Sequence, residues 1–256
     1  DWALHSLLHR LYFEYIYLPL VLRKKEIDIW ISLNDVSSFI SAKKRFVYFH
    51  NPSPFVYLCS RMKIAIIKYN AGNVASVMYA LDRIGAKYTW TDDEKVIQSA
   101  DKVIFPGVGE ASTAMAYLKE KKLDQLIPTL KQPVLATCIG MQLLCKHSEE
   151  NDTDCMGVFD VNITRFQSNT LKIPHVGWNS IKAQGENDLM KGLNETEFVY
   201  FVHSFYAPVY QDTSAICDYI QPFSAMLQKD NFFAAQFHAE ISGKVGQKII
   251  QNFLDL

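Results

Sequence analysis

Val134-Leu-Ala-Thr-Cys-Ile-Gly-Met-Gln-Leu-Leu-Cys145 is the stretch on which the fold turns. Val134-Leu135-Ala136 reads as a short buried strand, Cys138-Ile139-Gly140 as a sharp turn, and Met141–Cys145 as the start of a helix. A strand that breaks this abruptly into a helix forms a nucleophile elbow, which needs small residues at −2 and +2 so that the two elements can approach. Ala136 and Gly140 occupy those places. The turn presents the Cys138 thiol above the strand end, where the unpaired N–H groups and dipole of the following helix favour thiolate over thiol.

The flanking sequence repeats this strand-then-helix order. Ile64–Ile67 is a continuous apolar run, Asn70-Ala-Gly-Asn73 a turn, and Val74, Val77, Met78, Leu81 and Ile84 recur at helical spacing before Gly85. Val103–Phe105 leads through Pro106-Gly107-Val108-Gly109 into a helical Ala111–Leu118. Such βαβα order predicts an α/β fold, a doubly wound and mainly parallel sheet covered on both faces, with ligands bound beyond the C-terminal strand ends. The strand-like runs Phe159–Phe166, Phe198–Tyr206, Ser214–Tyr219 and Phe232–Phe237 predict an antiparallel continuation, and Val245–Leu254 a closing amphipathic helix.

The first 61 residues differ in kind. They carry a net charge of +3 against −4 for residues 62–256, and all 11 glycines lie at Gly72 or beyond. Average usage would place about four glycines in a segment of that length. We therefore set a boundary at Arg61/Met62, with residues 1–61 an N-terminal extension or an unrelated fragment outside the catalytic domain and residues 62–256 a single domain. Leu11–Leu22 is apolar but broken by Glu14 and Pro19, and it is shorter than the roughly 20 residues of a membrane span. Arg23-Lys-Lys-Glu26 follows it where a secretory signal would have a small-residue cleavage site.

Composition narrows the partners. A net charge of −1 offers no electrostatic footprint for nucleic acid. Five cysteines without C-x-x-C spacing point away from a zinc or redox site and towards a reducing cytoplasm.

A partner for Cys138 stands 100 residues on, in Phe237-His-Ala-Glu240. In extended chain His238 and Glu240 would share a face, so the carboxylate could hold one imidazole nitrogen while the other met the thiol. Gly107 and Gly109, beyond a strand, would let backbone N–H groups approach a substrate as an oxyanion hole must. Cys145, Cys155 and Cys217 read as core residues, and His147 as a helix-end surface residue.

Residues 62–256 resemble the class I, triad-type glutamine amidotransferases, and among them the glutaminase subunits of imidazole glycerol phosphate synthase. The resemblance is carried by Lys68-Tyr-Asn-Ala-Gly-Asn73, Phe105-Pro-Gly-Val-Gly-Glu110, Cys138-Ile-Gly-Met-Gln142, Pro174-His-Val-Gly-Trp-Asn179, Tyr200-Phe-Val-His-Ser-Phe-Tyr206 and Gln236-Phe-His-Ala-Glu240. It implies a flavodoxin-like α/β fold and a triad in which Cys138 attacks glutamine, His238 shuttles the proton and Glu240 orients His238. It implies an oxyanion hole at Gly107, Val108, Gly109 and Ile139, and glutamine held by Gln142, Ser204 and Phe205. It implies that Asn70, Asn73, Trp178, Tyr200 and His203 lie towards a (βα)₈-barrel cyclase subunit receiving ammonia through a tunnel, with no metal and no organic cofactor.

Three positions depart from the family pattern, which has Gly at Ala136, Pro at Ala239 and Lys at Ile241. Two other expectations follow from residues 1–61 and from these departures. Trp30–Val36 with His50–Phe55 resembles an internal fragment of a bacterial glycosyltransferase, which would suit an amidotransferase feeding a surface-sugar pathway. The altered elbow would suit a catalytically weak partner subunit.

Overall fold

The structure is a computed structural model that describes residues 62–69 and 74–256, together with the backbone of two short strands earlier in the chain. Asn70 and Asn73 lie outside the described residues. The chain divides into two compact units, Asp1–Pro54 and Phe55–Leu256. In the first, β1 (Trp30–Ser32) pairs in parallel with β2 (Arg45–Val47).

In the second unit the chain runs β3 (Ile64–Ile67), α1 (Val74–Arg83), β4 (Tyr88–Thr91), α2 (Glu94–Gln98), β5 (Lys102–Phe105), α3 (Ala111–Glu120), α4 (Leu123–Leu126), β6 (Val134–Thr137) and α5 (Ile139–Leu144). The short β7 (His147–Ser148), β8 (Thr153–Asp154) and β9 (Asn162–Arg165) come next. Then follow β10 (His175–Ala183), β11 (Thr196–His203), β12 (Phe205–Tyr206), β13 (Thr213–Asp218), β14 (Pro222–Lys229), β15 (Phe232–Ala235) and α6 (Gly243–Asp255).

Nine strands form one sheet in the order β11-β10-β13-β14-β15-β6-β5-β3-β4. From β15 to β4 the pairs are parallel, and from β11 to β15 antiparallel, as the strand patterns predict. A second sheet joins β12, β9, β7 and β8. His147 thus sits in a strand opposite Asp154, with both ring nitrogens near aspartates, and not at a helix end.

Period-two alternation explains why the parallel strands read as unbroken apolar runs. Ile64, Ile66, Ile104 and Leu135 pack under α1 and α6 with Val77, Leu81, Ile249 and Phe253, whereas Ala65, Ile67, Val103, Phe105, Val134 and Ala136 pack on the other face with Ala114, Met115 and Leu118 of α3. Both faces are covered, so every residue of β3 and β6 is buried.

Three adjacent parallel strands then end side by side. β5 runs into Pro106-Gly107, β6 into Cys138, and β15 into Gln236 and His238, with Phe105 opposite Ala136 and Ala235 opposite Thr137. The register brings glycine loop, thiol and imidazole to one edge.

Candidate active site

Cys138 takes φ 50° and ψ −113°, a positive φ that a non-glycine residue holds only when its surroundings impose it. Its N–H donates to Ala235 O at 2.7 Å, and its carbonyl accepts the first helical bond, from Gln142 N at 3.3 Å. Gly107 and Gly140 permit the close approach: a Cβ at Gly107 would overlap Ile139 and the Gly140 nitrogen, and one at Gly140 the Phe105 carbonyl. Ala136 is buried in regular strand geometry, so the methyl group that departs from the family pattern lies in the α3-side core and the positive φ falls two residues later, on Cys138.

Among the described cysteines, Cys145 is buried and burial drives its thiol well above the usual range. Burial likewise raises Cys155 and Cys217 to about 12. These remain protonated core thiols, whereas Cys138 opens onto a cleft of about 250 Å³.

His238 and Glu240 are both buried, with His238 Nδ1 2.7 Å from Glu240 Oε1. The contact is made across a 3-10 turn, Ala239–Ile241, and not along the extended chain expected from spacing. Ser242 Oγ donates to His238 O at 2.6 Å and closes the turn. Gly246 is needed beneath it, since a Cβ there would overlap the Ala239 carbonyl.

Burial alone would lower the His238 pKa, but the Cys138 and Glu240 side chains outweigh it and raise it to about 10. Nδ1 is engaged by Glu240, which leaves Nε2, buried and without a hydrogen-bond partner, as the nitrogen able to serve the thiol. Contacts of this kind often reach hydrogen-bond geometry only once substrate is bound.

Gly109, Ile139, Gln142, His203, Ser204 and Phe205 line the cleft with Cys138, joined by Glu150, Pro174 and Val202. Gly109 adopts φ 135°, and the first N–H groups of α5, beginning at Ile139, have no carbonyl one turn back. Gln142 Nε2 donates to Phe205 O at 3.1 Å and to Gln236 Oε1 at 3.0 Å, so both its protons are committed to positioning the cleft wall. Gly107 and Val108 are not among the residues lining this cleft.

His203 is buried and does not reach the outer surface. Its Nδ1 donates to Phe205 O at 2.7 Å, so its Nε2 must accept from His175 Nδ1 at 3.1 Å. His175 Nε2 in turn accepts from Asn179 Nδ2 at 3.3 Å. Burial lowers His175 to about 4 and His203 to about 3, which keeps both rings neutral.

Trp178 and Tyr200 face each other in register on β10 and β11, their rings edge-on with centroids 6.1 Å apart. Val176, Val202 and Phe198 share that face, with Trp178 and Val176 each 56% and Phe198 59% exposed. Tyr200 O accepts from His238 N at 3.0 Å, and Val202 O lies 3.9 Å from the Cys138 sulfur. An exposed apolar face is therefore fastened directly to the triad segment. Among the described residues no group of His, Cys, Asp and Glu is placed to hold a metal ion, and no helix is long and apolar enough to cross a membrane.

Sequence reasoning passed over Gln236, fully buried beside the thiol, and Glu150, which accepts from Ala111 N at 2.8 Å at the cleft rim. Gln236 stands two residues before His238, which was its available signal. Glu150 had none, because it sits in a turn between two-residue strands.

Residues 66–256 match the model of the family described as glutamine amidotransferase class-I. The chain is 57% identical over 197 residues to the "Imidazole glycerol phosphate synthase subunit HisH" of Bacteroides thetaiotaomicron, covering 76% of this chain and 100% of that relative. It is 43% identical over 203 residues to the protein of the same name from Vibrio parahaemolyticus, covering 77% and 100%. Among solved structures, one described as glutamine amidotransferase is similar with a TM-score of 0.59, 14% identity and coverage of 75% of this chain and 97% of that one. A glutamine amidotransferase from Thermotoga maritima is similar with a TM-score of 0.54, 15% identity and coverage of 76% and 83%. These two likenesses bear on the fold alone.

Proposed function

This chain belongs to the class-I glutamine amidotransferase family, and from that membership we propose the chemistry at Cys138 and the partner it serves. Its function is that of the glutamine-hydrolysing subunit of imidazole glycerol phosphate synthase in histidine biosynthesis. The relatives' names do not favour the surface-sugar alternative.

The Cys138 thiolate attacks the side-chain amide carbon of glutamine, and the carbonyl oxygen becomes an oxyanion beside the N–H groups of Gly109 and Ile139, the two of the four expected oxyanion-hole residues that line the cleft. His238, oriented by Glu240, gives its proton to the departing nitrogen, which leaves as ammonia. Water, deprotonated by His238, then attacks the thioester carbon, the C–S bond breaks, and glutamate is released with the thiolate restored. Gln142, Ser204 and Phe205 shape the cleft that receives glutamine. The observation that carries this reading is the 2.7 Å His238–Glu240 contact beside a thiol held on a positive-φ elbow.

The ammonia passes to a (βα)₈-barrel cyclase with which the chain forms a heterodimer, docking through the apolar face of Val176, Trp178, Tyr200 and Val202. That face is continuous with the cleft at Val202, and its exposed aromatic and branched side chains are what a protein interface core is made of. The catalytic domain begins at Met62, and the complex works in the cytoplasm. Glutamate release measured with and without the cyclase tests the reading: hydrolysis should be slow alone and rise steeply when the cyclase and its ligand are present. Full activity unchanged by any cyclase would refute the coupling.

A further inference from the structure

Strand β6 sends its side chains alternately to the two layers. Val134 and Ala136 enter the α3 side, so Leu135 and Thr137 enter the layer under α1 and α6, where the Ala239–Ile241 turn also lies. Thr137 is 4% and Glu240 6% exposed. Thr137 Oγ1 and Glu240 Oε2 are each buried without a hydrogen-bond partner.

Both residues line the same small cavity, closed by Val77, Leu81, Ile104 and Leu135, with a volume of about 10 Å³. That is the size of one water molecule, and a water needs two or more polar partners to stay in such a place. Thr137 and Glu240 carry the only side-chain oxygens among the residues that line it. A carboxylate oxygen deep in a protein is costly without a donor, and Arg83 is not that donor: its Nη2 donates to the Glu240 backbone carbonyl at 3.1 Å, and Oε2 has no hydrogen-bond partner.

We propose that one internal water bridges Thr137 Oγ1 and Glu240 Oε2, which makes Thr137 a positioning residue for the triad carboxylate. The inference rests on the triad reading given above and deepens it. Oε1 alone on His238 Nδ1 leaves the terminal torsion of Glu240 loosely defined, since sp³–sp² torsions are broad. With Oε2 held by the water as well, the carboxylate plane is fixed and the imidazole is aimed at Cys138. The residue immediately before the nucleophile therefore bears on the triad carboxylate from the α1 and α6 side of the sheet.

The test uses the full chain in complex with its cyclase. A high-resolution structure should show one ordered water within about 3 Å of both oxygens. Thr137→Val keeps the shape and removes the hydroxyl. It should lower kcat roughly tenfold while KM for glutamine stays within about twofold, and it should shift the downfield proton resonance of His238 Nδ1–H. Thr137→Ser should recover most of the turnover. A cavity without water density, a Thr137→Val enzyme with native kcat and resonance, or a Thr137→Ser enzyme as slow as Thr137→Val would overturn the proposal. Should Thr137→Val fail to fold, the water density and the Thr137→Ser resonance decide the matter. If Cys138→Ala still turns over glutamine, the triad reading fails; if it is inactive and Thr137→Val is unaffected, only this inference fails.

Discussion

His238 and Glu240 meet at 2.7 Å across one 3-10 turn, with side chains 2% and 3% exposed. A carboxylate this close and this dry selects the tautomer with the proton on Nδ1 and stabilises the imidazolium that catalysis requires. Glu240→Gln preserves the shape but removes the charge. It should lower kcat for glutamine by roughly 10²- to 10⁴-fold with little change in KM. Steady-state kinetics of the complex check this, and a loss below tenfold would mean that Glu240 is only structural.

The Cys138 and Glu240 side chains around His238 set an alkaline limit on stability. The folded-state pKa of His238 is raised from 6.5 to about 10, so its stabilising contribution is complete below pH 6.5 and is lost as pH rises through about 10. His175 and His203 act with the opposite sign: their folded values are lowered from 6.5 to about 4 and about 3, so stability falls as pH drops below 6.5. The slope should be about 1.4 kcal/mol per group per pH unit where the two states differ by a full proton. Denaturant unfolding across pH 4 to 10 should therefore give a maximum near neutrality, and the ring signals of His175 and His203 should not titrate above pH 5.

Much of this arrangement is legible in the chain. The parallel strands declare themselves because burial on both faces makes them continuously apolar, and the elbow because Ala136 and Gly140 bracket Cys138. The His238–Glu240 contact was legible as a pair but not as a turn. What folds Ala239–Ile241 is the Ser242 hydroxyl on His238 O and the close approach of Gly246, neither of which has a periodic signature. The strands β7 and β8, two residues each, are too short to show alternation, so His147 and Glu150 were misread or missed. The water-sized cavity under Thr137 depends on packing from α1, β5, β6 and α6 together and has no local signal.

Trp178 stands at the centre of the exposed apolar face, edge-on to Tyr200. Buried aromatic anchors carry a large share of binding energy, about 2 kcal/mol or more when truncated. Trp178→Ala should therefore weaken cyclase binding by at least roughly thirtyfold, measured by calorimetry. Unchanged affinity would place the interface elsewhere.

Beginning the chain at Met62 should change unfolding free energy by less than about 1 kcal/mol and leave glutamine turnover intact, because residues 62–256 already supply the strands, helices and site described. A larger loss would make residues 1–61 part of the catalytic fold and move our boundary.

The central claim is that Cys138 is the nucleophile: among the described cysteines, burial raises the thiols of Cys145, Cys155 and Cys217, and only Cys138 stands on the elbow. Glutamate release by the cyclase complex carrying Cys138→Ala, beside the unmodified complex, tests it most directly. We predict no hydrolysis above background and an unchanged melting temperature; release of glutamate at the unmodified rate would contradict the account.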